Sequence, residues 1–252
     1  MEPIELADLL AEPVQVLGMS FYFDPVTSER AKELGLNVFE YYGLGRGGVL
    51  GDVDTAVIES AFTFFHRRTI DFLWEQARAK ADPMLTAREY LTSAYSFAHR
   101  TFGGVDEGLL RAFGDGARAA SSLVEPGRYP LFDGYRAYAE PGDVVSAAFL
   151  AAILLRELRG GVHIDAVDEV GLTPTEACYL QDRTIFKLHG YGDEDVPPVT
   201  TDLETKKVAA EAITSRRMAQ FFSGLDDEAC QRMADGALAM FGALSNPVAV
   251  RG

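Results

Sequence analysis

Apolar residues recur at three- and four-residue intervals through most of this chain, and that spacing leaves little room for anything but packed helices. The stretches 54–79, 86–100, 106–123, 143–158, 161–170, 173–182, 203–222 and 226–244 all carry it. Their starts agree. Asp54, Thr86, Asp106, Asp143, Thr173 and Asp226 are residue types that cap helix N-termini, and Thr86 precedes Glu89 in capping-box spacing. Alternating, strand-like runs are confined to 14–23 and 37–42. The pattern predicts a mainly α fold. Proline and glycine cluster in EPGRYPLFDGYRAYAEPGD (125–143), which divides the chain into an N-terminal helical half (1–124), a linker (125–142) and a C-terminal half (143–252).

At 252 residues, 48% of them hydrophobic, the chain is long enough to bury a substantial core. Asp and Glu number 38 against 23 Lys and Arg, a net charge of −15. Such a chain repels phosphate polymers and anionic membranes unless it carries a local basic patch. The opening segment MEPIELADLLAEPVQVLG has no basic residue, unlike a secretory signal. The longest uncharged apolar run, VVSAAFLAAILL (144–155), falls short of the ~20 residues that span a bilayer. These features predict a cytoplasmic chain with no membrane partner. Cys178 and Cys230 have no CxxC spacing, so they read as buried small hydrophobes rather than as a disulfide framework or a thiolate zinc site.

Three places are candidates for chemistry. GLGRGG (43–48) matches GxGxxG and follows the strand-like run NVFEYY. A dinucleotide site needs a helix opening at the third glycine, whereas the next helical stretch begins near Asp54, so the segment reads as a tightly turned loop. Arg46 within it is a guanidinium placed to hold a carboxylate or phosphate, and Tyr42 beside it is placed to stack on a ligand. His66 follows Phe62 by one turn on the 54–79 stretch, and His163 precedes Ala166, Val167 and Val170 at helical spacing, so both face inward. With Arg156 and Arg159 close by, two such imidazoles form a polar cluster in apolar surroundings, where a proton transfer or a ligand is handled. Each of these residues also has a plain structural reading, as a hydrogen-bonded core histidine or a solvated arginine. His99 and His189 read as cap or surface residues. No HExxH, GxSxG, Walker loop or HxH spacing is present, so no metal site is assigned and the cofactor stays open.

Four stretches carry a resemblance: FYFDPVTSERAKELGL, GRGGVLGDVDTAVIESAFTFFH, LLRELRGGVHIDAVDEVGLTPTEA and DLETKKVAAEAITSRRMAQFFSGLDDEACQRM. Together they resemble an actinobacterial family of helical, helix-turn-helix-like proteins related to MarR-type winged-helix regulators. The resemblance places that family's glycine-and-arginine loop on Arg46 and Gly51, its long-helix histidine on His66, and its Arg-Gly-x-x-His on Arg159, Gly160 and His163. It implies a C-terminal half built as a degenerate winged helix. It also implies dimerisation through the last two helices, although a two-half chain has the alternative of burying those faces internally.

The sequence departs from the family where DNA would be read. After GLTPTEACYLQDRTIFKLHGYGDED comes VPPVTT, with no Lys or Arg between Lys187 and Lys206 while Asp193, Glu194, Asp195, Asp202 and Glu204 intervene. The recognition helix is expected to be shortened or lost, and duplex binding with it. The resulting expectation is a small-molecule-binding protein, catalytic or purely binding, in a specialised metabolic pathway. Its site would lie between the halves, with His66 and His163 as general acid and base and with Arg46, Arg159 and Tyr42 on an anionic or carbonyl-bearing ligand. No nucleic acid would bind, and the chain would form a homodimer. The alternative is a transcriptional regulator whose winged helix-turn-helix still binds DNA.

Overall fold

Side chains start most of the helices. Asn37 with Glu40, and Thr173 with Glu176, form reciprocal capping boxes, and Asp24, Asp82, Asp106, Asp143 and Asp182 each accept a first-turn backbone N–H. The structure, a computed structural model, describes residues 1–245. The N-terminal elements are α1 (Pro3–Met19), α2 (Pro25–Glu33), α3 (Val38–Gly47), α4 (Thr55–Ala61) and α5 (Arg67–Ile70). There follow α6 (Pro83–Phe102), α7 (Glu107–Ser122), α8 (Pro130–Arg136) and α9 (Val144–Glu169). The last four are α10 (Pro174–Gln181), α11 (Arg183–Leu188), α12 (Thr201–Phe222) and α13 (Asp227–Ser245). Short 3-10 turns lie at Gly48–Leu50 and Asp193–Asp195, and a π-helical turn at Asp71–Gln76. Among the described residues there is no strand, so the fold is mainly α, as the periodicity predicts.

The two strand-like runs form no strand: 14–19 lie in α1 with 20–23 as the turn that follows, and 38–42 open α3 behind the Asn37 cap. The 54–79 stretch is not one helix. It breaks after α4, where the His66 N–H donates to the His189 carbonyl at 2.9 Å, then resumes as α5 and the π-helical turn. GLGRGG is not a loop either. Its glycines lie in α3 and the turn that follows, where a Cβ on Gly45 would stand 2.6 Å from the Tyr90 ring and one on Gly48 would stand 2.1 Å from the Pro83 carbonyl oxygen. They are there to let α3 cross α6 in contact. Conversely, 143–158 and 161–170 join into the single helix α9, which passes through Gly160 and Gly161 unbroken.

α9 is the central rod. Phe149, Ile153, Leu158 and Val162 are buried along it, and α1, α6, α7, α8 and α12 all pack against it. One core cluster runs from Leu6 to Met240 and draws on helices from both sides of 125–142. Within that segment α8 itself forms, with Phe132 and Tyr135 fully buried. A smaller cluster of Val167, Leu172, Leu203 and Ala210 joins the end of α9 to α12, and a third of Cys178, Phe186 and Tyr191 knits α10 to α11. After α11 come the 3-10 turn and the segment 196–200 before α12, so no hairpin of a wing is built from the described residues. Nor is any described helix long and apolar enough to cross a membrane.

Candidate functional site

Arg46 is positioned by the close crossing of α3 and is buried. Its Nε and Nη2 donate to the two carboxylate oxygens of Glu157 on α9 at 2.9 and 2.8 Å, and its Nη1 donates to the Tyr42 hydroxyl at 3.1 Å. The bidentate fork expected to hold an outside carboxylate therefore holds one from this chain. Arg156 Nη1 donates to the same Glu157 at 2.7 Å. Burial alone would raise the Glu157 pKa, but the Arg46 and Arg156 guanidiniums outweigh it and hold the carboxyl below its usual range. Glu157 was not singled out by spacing. Its signal is a carboxylate on the buried stripe of α9, four residues after Ile153 and eight after Phe149.

This cluster lies against a cavity of about 1080 Å³, walled by Tyr22, Tyr42, Phe62 and Phe65 and extending to Ile185 and Leu188 of α11. His163 and Arg159 also line it, while His66 does not. The His66 ring accepts the backbone and side-chain N–H groups of Arg68 on Nδ1, both at 3.1 Å, and meets the Tyr191 ring edge-on at 5.4 Å. It caps α5. The break in the 54–79 stretch rotates it away from the face that uninterrupted periodicity assigned, so the paired His66–His163 acid–base site is not assembled. His163 Nδ1 lies 3.0 Å from Thr214 Oγ1, whose own proton goes to the Ala210 carbonyl at 2.8 Å, so the imidazole donates there and ties α9 to α12. Desolvation lowers its pKa. Arg159 pairs with Glu211 at 2.8 Å. His189, read from sequence as a cap or surface residue, is the C-cap of α11 rather than a surface group: its ring stacks on Phe65 at 4.0 Å between ring centroids, and burial lowers its pKa to about 4. Among the described residues no group of three His, Cys, Asp or Glu is arranged to hold a metal ion.

The second feature is the pair α10–α11. Asp182 ends one helix and starts the next, accepting the N–H groups of Thr184 and Ile185 at 2.7 and 2.9 Å. Phe186 turns inward between Tyr179 and Tyr191, and the Lys207 ammonium donates to the Leu180 carbonyl at 2.6 Å, which fixes the pair on α12. Arg183, Thr184 and Lys187 are left facing solvent. The acidic residues that follow are partly engaged: Asp193 lies 3.5 Å from Lys187, Glu194 lies 3.5 Å from Arg68, and Asp195 accepts the Gly192 N–H. α11, which occupies the position where a recognition helix was expected to be shortened or lost, is a helix of six residues.

A sequence-family model described as a helix-turn-helix family matches residues 7–246 of the chain. No curated protein and no solved structure matches it. The family match overturns two expectations drawn from the sequence. One is a small-molecule protein, catalytic or binding, on a scaffold that has left DNA behind; the other is the absence of a nucleic-acid partner. The first rested on the Arg and His cluster, and both rested on net charge and on the acidic run after Lys187; a summed charge of −15 leaves room for local cations such as the exposed Arg183 and Lys187.

Proposed function

The chain belongs to this helix-turn-helix family, and from that membership we propose that it is a DNA-binding transcriptional regulator, with α10 and α11 as the two-helix unit and α11 presented to the major groove. The family match over 7–246 carries the reading. In a helix-turn-helix the N-terminal residues of the second helix contact base edges. Here those residues are Arg183 and Thr184, with Lys187 one turn on, all exposed. An arginine fork suits guanine, and a lysine at this distance suits a backbone phosphate. The charge of −15 keeps non-specific affinity low, so discrimination rests on base contacts more than on phosphate neutralisation. Kinship with MarR-type regulators belongs to the same reading and rests on the four stretches quoted above; so does a location in the compartment that holds DNA.

The test is selection of duplexes from a random pool, followed by fluorescence anisotropy of the enriched sequence at physiological salt. The expected result is saturable, sequence-selective binding. Arg183→Ala should weaken it roughly tenfold or more and relax preference at one position, because a bidentate base contact is worth about 1–3 kcal/mol. Lys187→Ala should weaken all sequences alike and lower the salt slope by about one. A pool that never enriches would overturn the reading.

A further inference from the structure

Two cations beside the exposed face of α11 already have partners inside the chain. The His66 N–H on the His189 carbonyl holds α5 against the C-terminal end of α11, and Arg68 and Lys187 both reach the 3-10 turn Asp193–Asp195. The Lys187 ammonium lies 3.5 Å from Asp193, and the Arg68 guanidinium lies 3.5 Å from Glu194 and 3.7 Å from Asp195. The turn itself is fixed in place. Asp195 accepts the Gly192 N–H at 2.8 Å, and Tyr191 stacks on Phe186 of α11 and meets the His66 ring edge-on. The Asp193 and Glu194 side chains stay mostly in solvent, 90% and 67% exposed, and face Lys187 and Arg68. Ion pairs this exposed add little to folding stability. Their effect falls on anything anionic that approaches, because a phosphate must displace a carboxylate from each cation and then stand beside it.

We propose that Arg68 is a phosphate contact of the DNA-facing surface beside Lys187, and that the turn Asp193–Asp195 is an autoinhibitory contact, an internal competitor with the DNA backbone for both cations. The proposal rests on the reading of α10–α11 as the DNA-binding unit. Competition for phosphate contacts carries no sequence information, so the turn lowers affinity for every duplex alike and leaves the choice of sequence to Arg183. The acidic run after Lys187 thus sets how tightly the chain holds DNA instead of preventing it. Arg68 enters this surface from α5, far from α11 in sequence, through the break that ends the 54–79 stretch as a single helix.

The test neutralises the competitor and leaves the turn standing. Asp193→Asn combined with Glu194→Gln, in the full-length chain, retains Asp195 and its bond to Gly192. In fluorescence anisotropy this pair should tighten binding to the enriched duplex and to a scrambled duplex by the same factor. That factor should be roughly fivefold or more at physiological salt, because each cation released to a phosphate contributes on the order of fivefold there. Glu107→Gln combined with Glu228→Gln makes the same change in net charge on α7 and α13, where the partners are Arg111 and Arg232. That control should move affinity by less than about twofold. Arg68→Gln should weaken binding more in the neutralised chain than in the unaltered one, since only there is Arg68 free of Glu194. Equal binding by the unaltered and neutralised chains, or an equal gain in the control, would overturn the autoinhibitory contact and leave the DNA-binding reading standing. A gain confined to the enriched sequence would also overturn it, by placing the turn on base edges. An Arg68→Gln cost that is the same in both chains would remove Arg68 from the masked surface. Absence of duplex binding by every one of these chains would overturn the functional reading and the autoinhibitory contact together.

Discussion

His189 shows how much a single side chain depends on its neighbours. Its Nδ1 lies 3.1 Å from the Phe64 carbonyl and 3.3 Å from Cys178 Sγ, and its ring stacks on Phe65, so it is held neutral by burial, with smaller contributions from Arg46 and Arg156. The unfolded chain takes up this proton near pH 6.5, the folded chain only near 4. Folding stability contributed by the neutral ring is therefore complete above pH 6.5 and is lost as pH falls towards 4, by about 3 kcal/mol at full extent. His163, also lowered by burial, acts with the same sign. Urea unfolding at pH 7.0 and pH 4.5 should show the loss, and His189→Gln should flatten it. An equally steep fall in His189→Gln would remove His189 as its cause.

At the scale of an element, α9 tests what glycine is doing in a helix. Gly160 and Gly161 stand side by side, yet a Cβ on Gly160 would meet nothing within 4 Å while one on Gly161 would stand 2.5 Å from the Tyr129 ring. Gly160→Ala removes a helix-interior glycine into open space and should stabilise the chain by about 0.5–1 kcal/mol. Gly161→Ala drives a methyl group into Tyr129 and should destabilise it by about 1–3 kcal/mol. Thermal melts of the two variants should move in opposite directions. If both rise, α8 is not seated on α9 as described.

For the whole molecule the question is how many chains make the working unit. The buried face of α12 (Ala210, Thr214, Met218, Phe222) lies against α1 and α9, and that of α13 (Met233, Ala234, Ala237, Met240) against α7 and α1. The terminal helices through which MarR-type regulators would pair have spent their apolar faces inside one chain. We therefore expect a monomer of 27.5 kDa in the absence of DNA, in place of the homodimer that the resemblance implied. Light scattering across a hundredfold range of concentration reads this directly. A species of twice that mass would show that a different surface joins the copies.

The helical class was written in the sequence, because 3.6-residue periodicity and aspartate or threonine caps are local properties that survive without knowledge of neighbours. Arg46 and Arg159 stood out in the sequence as ligand contacts, whereas each pairs with a carboxylate of this chain, Glu157 and Glu211. Three things were decided only by tertiary contacts. The glycines of 43–48 read locally as a loop, and only the approach of Tyr90 and Pro83 makes them a helix crossing. The inward direction assigned to His66 assumed an unbroken helix, but α4 ends at Ala61 and His66 starts the next helix with its N–H on the His189 carbonyl. Glu157 carried no motif, and its pairing with Arg46 spans 111 positions of chain. Periodicity reports which face of an element is apolar; which partner that face meets, and whether the element runs on or breaks, is fixed by contacts that no local pattern encodes.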